Sequence, residues 1–191
     1  YSYLSLLAVE KIFDAAGLRV FDVEKLQTHG GSLRLYACRK EANHDERPSL
    51  AKVRVEEAKA KLDRTEGYQG FTSRVEAVRD GLVDFLSSAH YGRKTVAAYG
   101  AAAKGNTLLN YCGIGADSIA YCVDKNPAKQ KTLLPGSAIP VFDVDELIRR
   151  PPDFILILPW NLKAEIIDQL ADFGLKGTRF VTAVPNVSVT A

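Results

Sequence analysis

Four short apolar segments constrain most strongly the fold of the second half of the chain. They are TVAAY, SIAYCV, FILILP and RFVTAV, and loops or stretches with helical spacing of apolar residues lie between them. Strands without polar alternation are typical of a parallel sheet that is buried on both faces. Their alternation with helices predicts an open α/β sheet over residues 91–191.

The start of the chain has a different pattern. Apolar residues at helical spacing, including Leu4 and Leu7, predict an amphipathic helix that ends near Gly17. Residues 18–26 and 33–40 each have the character of a strand, and the intervening THGGS predicts a β-hairpin loop. The chain therefore begins as helix, strand, hairpin loop and strand.

A charged segment follows this hairpin. Residues 40–49 contain a proline and lack periodicity, which predicts a linker. A charged helix is expected over residues 49–64, and a longer helix is expected to reach about His90. The predicted division of the chain is residues 1–40, 41–90 and 91–191.

Charge and cysteine content argue against several classes of protein. The formal net charge is +2 with scattered basic residues, so the sequence lacks the basic face expected for a nucleic-acid partner. No segment has the length of a membrane-spanning helix, and no signal peptide is visible. Cys38, Cys112 and Cys122 form no CxxC motif, which predicts free thiols, no metal site and a cytoplasmic location.

The segment AAYGAAAKGNTLLN, residues 97–110, has the character of a phosphate-binding loop that opens a helix. Ligands of open parallel sheets bind beyond the carboxyl ends of the strands, which is where this loop is predicted to lie. Backbone amides at the start of the helix would suit an anion. The predicted ligand contacts are Gly100, Lys104, Gly105, Asn106 and Thr107.

Two known fingerprints fit this loop incompletely. A Walker motif places the lysine after the second glycine, whereas Lys104 precedes Gly105, so we reject a P-loop. The dinucleotide pattern GxGxxG fits at Gly100 and Gly105, but Ala102 replaces the middle glycine. Asp124 follows about 20 residues later, where an acid would bind the ribose of NAD. The alternatives are thus an NAD-binding oxidoreductase domain and a non-catalytic scaffold.

Six stretches of the chain, taken together, resemble one family. They are YSYLSL, GLRVFDVEKLQTHGGSLRLYA, AYGAAAKGNTLLNYCGI, VDKNPAKQ, LPGSAIPV and LPWNLKAEI. Their order and spacing resemble the C-terminal half of the sugar C-methyltransferases, over nearly the whole chain. The resemblance implies an enzyme that uses S-adenosylmethionine to methylate a carbon of a nucleotide-linked ketodeoxysugar, with TDP as the expected nucleotide.

The resemblance also implies a division of labour. Family members have a zinc-binding N-terminal part, a Rossmann-like S-adenosylmethionine domain and a Rossmann-like C-terminal domain that closes over the nucleotide sugar. Residues 1–40 match the last helix and strand pair of the cofactor domain, whose glycine-rich motif is absent here. The family's YHEH-like acid/base stretch is expected immediately before Tyr1. We therefore expect a fragment that is inactive alone and binds no cofactor, with an exposed sheet edge that favours homo-oligomers.

Five further residues are candidates for contacts with the substrate. Tyr1 and Tyr3 would follow the catalytic stretch and line the sugar pocket, unless they belong to the core. His29 would lie near the sugar or cofactor, or be an ordinary polar residue of the hairpin loop. Trp160 and Asn161 follow an apolar strand and are predicted to face the substrate. Their alternative roles are core packing for Trp160 and helix capping for Asn161.

Overall fold

A computed structural model describes residues 3–190 of the chain. The chain forms two compact units that meet in sequence between Phe71 and Thr72. The predicted boundaries at residues 40 and 90 separate the end of the cofactor domain, a linker with helices and the C-terminal domain of the family. They stay a prediction.

The first unit is a helical pair around a hairpin. Its elements are α1 (Leu6–Ala15), β1 (Leu18–Leu26), β2 (Ser32–Arg39) and α2 (Pro48–Lys59). β1 and β2 pair antiparallel, which confirms the predicted hairpin. Gly31 in its loop has a φ of +119°, a conformation that glycine adopts without strain. The predicted helix over residues 49–64 ends earlier, at Lys59, and Lys61 then takes a positive φ of 53°.

The second unit alternates helices and strands. Its elements are α3 (Phe71–Tyr91), β3 (Val96–Tyr99), α4 (Ala103–Tyr111), β4 (Tyr121–Val123), β5 (Val141–Phe142), α5 (Glu146–Arg149), β6 (Phe154–Ile157), α6 (Lys163–Leu170), β7 (Arg179–Thr182) and β8 (Ser188–Thr190). β3 to β7 run parallel, and β8 joins β7 antiparallel at the edge. The predicted α/β fold is confirmed, although β5 and β8 are strands that the sequence pattern did not predict.

Helices cover both faces of this sheet. Side chains of successive strand residues point to opposite faces, so the apolar strands present two apolar faces that helices bury. Ala98 of β3 packs in a cluster with Leu86 of α3 and Leu109 of α4. Its neighbour Ala97 packs in the opposite cluster, with Ile166 of α6. All four residues of β3 are buried, as the unbroken apolar segment predicted.

The order of the strands determines where a ligand would bind. Across the sheet the order is β5-β4-β3-β6-β7-β8, so the chain builds outward from β3 on one side and then returns to β6 on the other. Counted from β3, this is the 3-2-1-4-5-6 order of the doubly wound dinucleotide folds. The carboxyl ends of β3 and β6 therefore lie side by side where the strand order reverses, which is the place where folds of this kind bind their ligands. Within residues 3–190, no helix combines the length and apolar character needed to cross a bilayer.

Candidate binding site at the carboxyl ends of β3 and β6

Gly100 brings two of the predicted site loops together. It follows β3 directly and has a φ of +90°, which favours glycine. A Cβ at this position would lie 2.7 Å from Cδ of Pro159, which belongs to the loop after β6. The two loops thus meet at the reversal point of the sheet. The sequence predicted a ligand on each loop but did not predict this contact.

Gly105 allows α4 to approach the sheet closely. A Cβ at Gly105 would lie 2.4 Å from Cβ of Leu158, the residue after β6. This is the role of the third glycine in the dinucleotide fingerprint, where it permits close packing of helix and strand. We therefore assign Gly105 a packing role at the site.

Asp124 joins the loops that follow β3 and β4. One carboxylate oxygen, Oδ2, accepts a hydrogen bond of 2.7 Å from the backbone N–H of Ala101 and one of 3.3 Å from Nζ of Lys129. The other oxygen, Oδ1, accepts a bond of 2.8 Å from the backbone N–H of Asn126. Asp124 is only 8% exposed. At the position that the dinucleotide pattern assigns to a ribose-binding acid, the carboxylate thus forms hydrogen bonds within the protein.

The start of α4 follows β3 at the same reversal point of the sheet. Its N-cap residue is Ala102, which has no polar side chain to accept from the amides of the first turn. The backbone N–H of Asn106 reaches back to the carbonyl of Ala102 at 2.9 Å. Oδ1 of Asn106 is buried and has no hydrogen-bond partner among the described residues. Lys104 is half-buried, and the exposed Thr107 donates its hydroxyl to the carbonyl of Ala103 at 3.1 Å.

Trp160 and Asn161 lie just beyond β6, in a short 3-10 turn, Trp160–Leu162. Trp160 is half-buried and Asn161 is exposed. The N-cap of α6 is Leu162, without a side-chain hydrogen bond, so Asn161 does not cap that helix. The capping alternative for Asn161 is therefore wrong, while its contact with a substrate stays a prediction.

The remaining predicted residues belong to the first unit. Tyr3 is 94% exposed, which is inconsistent with its alternative role as a core residue. The backbone of His29 lies in the 3-10 turn Thr28–Gly30 of the hairpin loop. The side chain of His29 and the whole of Tyr1 lie outside the described residues. Their contacts with the sugar stay predictions.

Tyr99 adds a neutral phenol at the end of β3. Burial, followed by the negative charges of Asp124 and Glu165, raises its pKa above the ordinary value. Its hydroxyl donates to the side-chain oxygen of Gln169 at 3.4 Å. Sequence reasoning did not single out Tyr99, Pro159 or Lys129, because their roles depend on contacts between loops that are distant along the chain.

Comparison with known proteins shows the family to which the chain belongs. A doubly wound α/β sheet occurs in proteins of many functions, so the fold alone does not define the function. Membership of a family restricts the possible functions. The chain belongs to the family of C-methyltransferase C-terminal domains, whose model matches residues 27–185. The predicted family is thereby confirmed.

A named relative supports the same assignment. The chain is 37% identical to C-methyltransferase NovU of Streptomyces niveus over 189 residues, which cover 99% of the chain. The chain spans 45% of the length of NovU. The similarity thus extends through both units of the chain and not only through the sheet.

Proposed function

We propose that this chain forms part of the substrate site of an S-adenosylmethionine-dependent C-methyltransferase. The proposed substrate is a nucleotide-linked ketodeoxysugar with TDP as its nucleotide, and its diphosphate binds at the start of α4, beside the contact of Gly100 and Pro159. The observation that carries the proposal is the contact of these two loops at the reversal point of the strand order. Open α/β sheets bind their ligands at this place.

The chemistry of the crevice suits a diphosphate. The amides at the start of α4 and the positive end of its dipole favour an anion. Lys104 adds a positive charge in the first turn of the helix. Asn106, in the first turn of the same helix, is proposed as a further contact of the ligand. Trp160 offers an aromatic face for a base or sugar ring, and Asn161 an amide for its polar groups.

The reaction class defines what the rest of the enzyme has to supply. S-adenosylmethionine supplies a methyl group on a sulfonium sulfur. A general base must remove the proton from the carbon beside the ketone, and a hydrogen-bond donor must stabilise the enolate oxygen. The resemblance assigns this acid/base role to a stretch outside residues 1–191. We therefore propose that the chain alone binds substrate without transferring a methyl group. Tyr1, Tyr3 and His29 stay candidates for contacts with the sugar.

An NAD site is the second candidate, because the strand order and the position of Asp124 match dinucleotide folds. Two observations oppose it. Ala102 replaces the middle glycine of the fingerprint, and the Asp124 carboxylate is buried and bonded to Ala101, Asn126 and Lys129. A ribose would have to compete with these partners for the same oxygens.

Trp160 is the sole tryptophan of the chain, so its fluorescence reports on the crevice directly. We expect TDP to change this fluorescence saturably and to bind more tightly than TMP, which lacks the second phosphate. NADH should bind more weakly than TDP. Calorimetry would measure the affinity of the Trp160→Phe variant for TDP, since this variant lacks the fluorescent indole.

Matched lysine variants distinguish a specific site from general attraction of anions. Lys104→Ala should weaken TDP binding, whereas Lys176→Ala should not, since the exposed Lys176 precedes β7 and so lies toward the amino ends of the strands. Absence of TDP binding, or equal losses in the two variants, would contradict the proposal. Methyl transfer by the isolated chain, given S-adenosylmethionine and a TDP-linked ketosugar, would contradict the proposed inactivity.

The proposal extends to the cellular location and the oligomeric state of the protein. Cys38, Cys112 and Cys122 are free thiols, as is usual in a reducing cytoplasm. The hairpin of β1 and β2 is a two-stranded sheet, and the unpaired edge of such a sheet favours association with a further strand. We therefore keep a cytoplasmic location and homo-oligomerisation as parts of the proposal.

A further inference from the structure

We propose that Asp124 is a positioning residue for the diphosphate and does not itself contact a ribose. Its carboxylate holds the turn from Gly100 to Ala102, and thereby the start of α4, in the orientation that the ligand requires. The inference rests on the proposed function of the site at the start of α4, beside Gly100 and Pro159.

Backbone hydrogen bonds orient the amides of the turn from Gly100 to Ala102. Ala101 and Ala102 carry no polar side chains, so their orientation depends on backbone contacts. The N–H of Gly100 donates to the carbonyl of Val123 at 2.7 Å, and the N–H of Ala102 donates to the carbonyl of Gly100 at 2.8 Å. Between these two amides, the N–H of Ala101 donates to Asp124. Loss of the carboxylate would leave this central amide without its acceptor.

Asp124 is itself held firmly from the loop after β4. The N–H of Asn126 binds its second oxygen, and the side-chain amide of Gln130 donates to its backbone carbonyl at 2.9 Å. The side chain thus connects a fixed loop to the turn before α4. A charge-assisted hydrogen bond of this kind is stronger than one between neutral groups. Displacement of the turn would move the amides of the first turn of α4 with it.

The positive charge of Lys129 explains how a carboxylate can lie beside a diphosphate site. A bare negative charge would repel the ligand across a low-dielectric crevice. Here Nζ of Lys129 lies 3.3 Å from Oδ2 of Asp124, and two backbone N–H groups donate to the carboxylate. The arrangement offsets the charge of Asp124 while keeping its ability to accept hydrogen bonds.

The test compares Asp124→Ala and Asp124→Asn with Asp143→Asn as the control. Asp143 also follows a strand of the sheet, β5, but its carboxylate binds the side chain of Arg149. Each variant is measured for thermal unfolding, for amide hydrogen exchange by NMR without ligand, and for TDP affinity by calorimetry. Asparagine keeps one acceptor oxygen and therefore serves if the alanine variant does not fold.

In Asp124→Ala we expect the Ala101 amide to exchange about tenfold faster and TDP to bind about tenfold more weakly, in line with the loss of one charge-assisted hydrogen bond. The Asp124→Asn variant should show smaller changes in the same direction, and Asp143→Asn should show neither. Reduced thermal stability with unchanged TDP affinity would reduce Asp124 to a structural role and overturn the inference. Unchanged exchange of the Ala101 amide in folded variants would overturn it as well.

The wild-type chain separates this inference from the proposed function. If the wild type does not bind TDP, the proposed function fails, and the positioning role fails with it. If the wild type and both Asp124 variants bind TDP equally, only the positioning role fails.

Discussion

The α-carbon of Gly105 packs so closely on Leu158 that an added Cβ would lie 2.4 Å from the Leu158 Cβ. This relationship joins the first turn of α4 to the end of β6. It places the start of the helix beside the loop that carries Pro159 and Trp160. A single missing side chain thus allows two loops of the candidate site to lie next to each other.

The substitution Gly105→Ala should therefore destabilise the second unit. We expect a loss of about 1–3 kcal/mol in the free energy of unfolding, the usual cost of inserting an extra methyl group into a packed core. Trp160 fluorescence during urea unfolding would measure it.

Gly81→Ala is the matched control for this prediction, because Gly81 also lies within a helix, α3. A Cβ at Gly81 would meet Cγ2 of Val187 at 3.5 Å, an ordinary contact. This variant should be neutral or more stable, by up to about 1 kcal/mol, because alanine favours helix over glycine. Equal losses in the two variants would show that close packing at Leu158 is not the cause.

Glu57 caps α1 from a neighbouring helix. Its two carboxylate oxygens accept hydrogen bonds from the backbone N–H groups of Leu6 at 2.6 Å and Leu7 at 2.8 Å. We expect Glu57→Ala to destabilise the first unit by about 1–2 kcal/mol, as for loss of a helix cap. Urea unfolding followed by circular dichroism would measure this change.

Glu56→Ala controls for the loss of a glutamate from the same helix. Glu56 forms an exposed ion pair with Lys25, and exposed pairs contribute little to stability. If Glu56→Ala proves as harmful as Glu57→Ala, helix capping is not the reason for the loss.

Asp153 makes the second unit sensitive to acid. Hydrogen bonds from the backbone N–H of Thr95 and the side chain of Lys94 lower its pKa from 3.8 to about 2. A lowered pKa means stabilisation that is complete above about pH 4 and disappears as the pH falls through about 2. The stability advantage of the wild type over Asp153→Asn should therefore shrink within this window.

Unfolding monitored by Trp160 fluorescence at several pH values would test the role of Asp153. Asp172→Asn is a suitable control, because this exposed carboxylate has no hydrogen bond to another described residue. A constant difference between wild type and Asp153→Asn across the window would contradict the lowered pKa.

The cysteines should differ in their reactivity toward alkylation. Burial raises the pKa of Cys122 to about 12, and it also raises the pKa of Cys112. Because the thiolate is the reactive form, Cys122 should resist iodoacetamide in the native chain at about pH 8 and react after unfolding. Cys38 is only partly buried and should react before Cys122. Mass spectrometry of peptides would show the order, and rapid native labelling of Cys122 would contradict it.

The sequence pattern predicted the longer elements because they are repetitive enough to recognise. Residues 18–26 were predicted as a strand and form β1, and the predicted long helix to His90 ends at Tyr91. β5 and β8 contain two and three residues, too few for any periodicity. The pattern likewise did not predict the antiparallel direction of β8, which results from its pairing with β7.

Predictions at the site divide in a similar way. The glycines of the loop after β3 were recognisable as a ligand-loop pattern, but the pattern did not distinguish a turn at Gly100 from helix packing at Gly105. Asp124 had the correct sequence position for a ribose-binding acid. The structure instead shows its carboxylate bonded to Ala101, Asn126 and Lys129.

The sequence by itself determined the class of fold and the family of this protein. Buried parallel strands and amphipathic helices are recognisable from local patterns of hydrophobicity. The family is recognisable from several stretches in a fixed order, such as LPGSAIPV. Tertiary structure alone decided which loops meet and which polar groups are already engaged. Contacts such as Gly100 with Pro159 join residues far apart along the chain, and they follow from strand order and close packing, which no local pattern records.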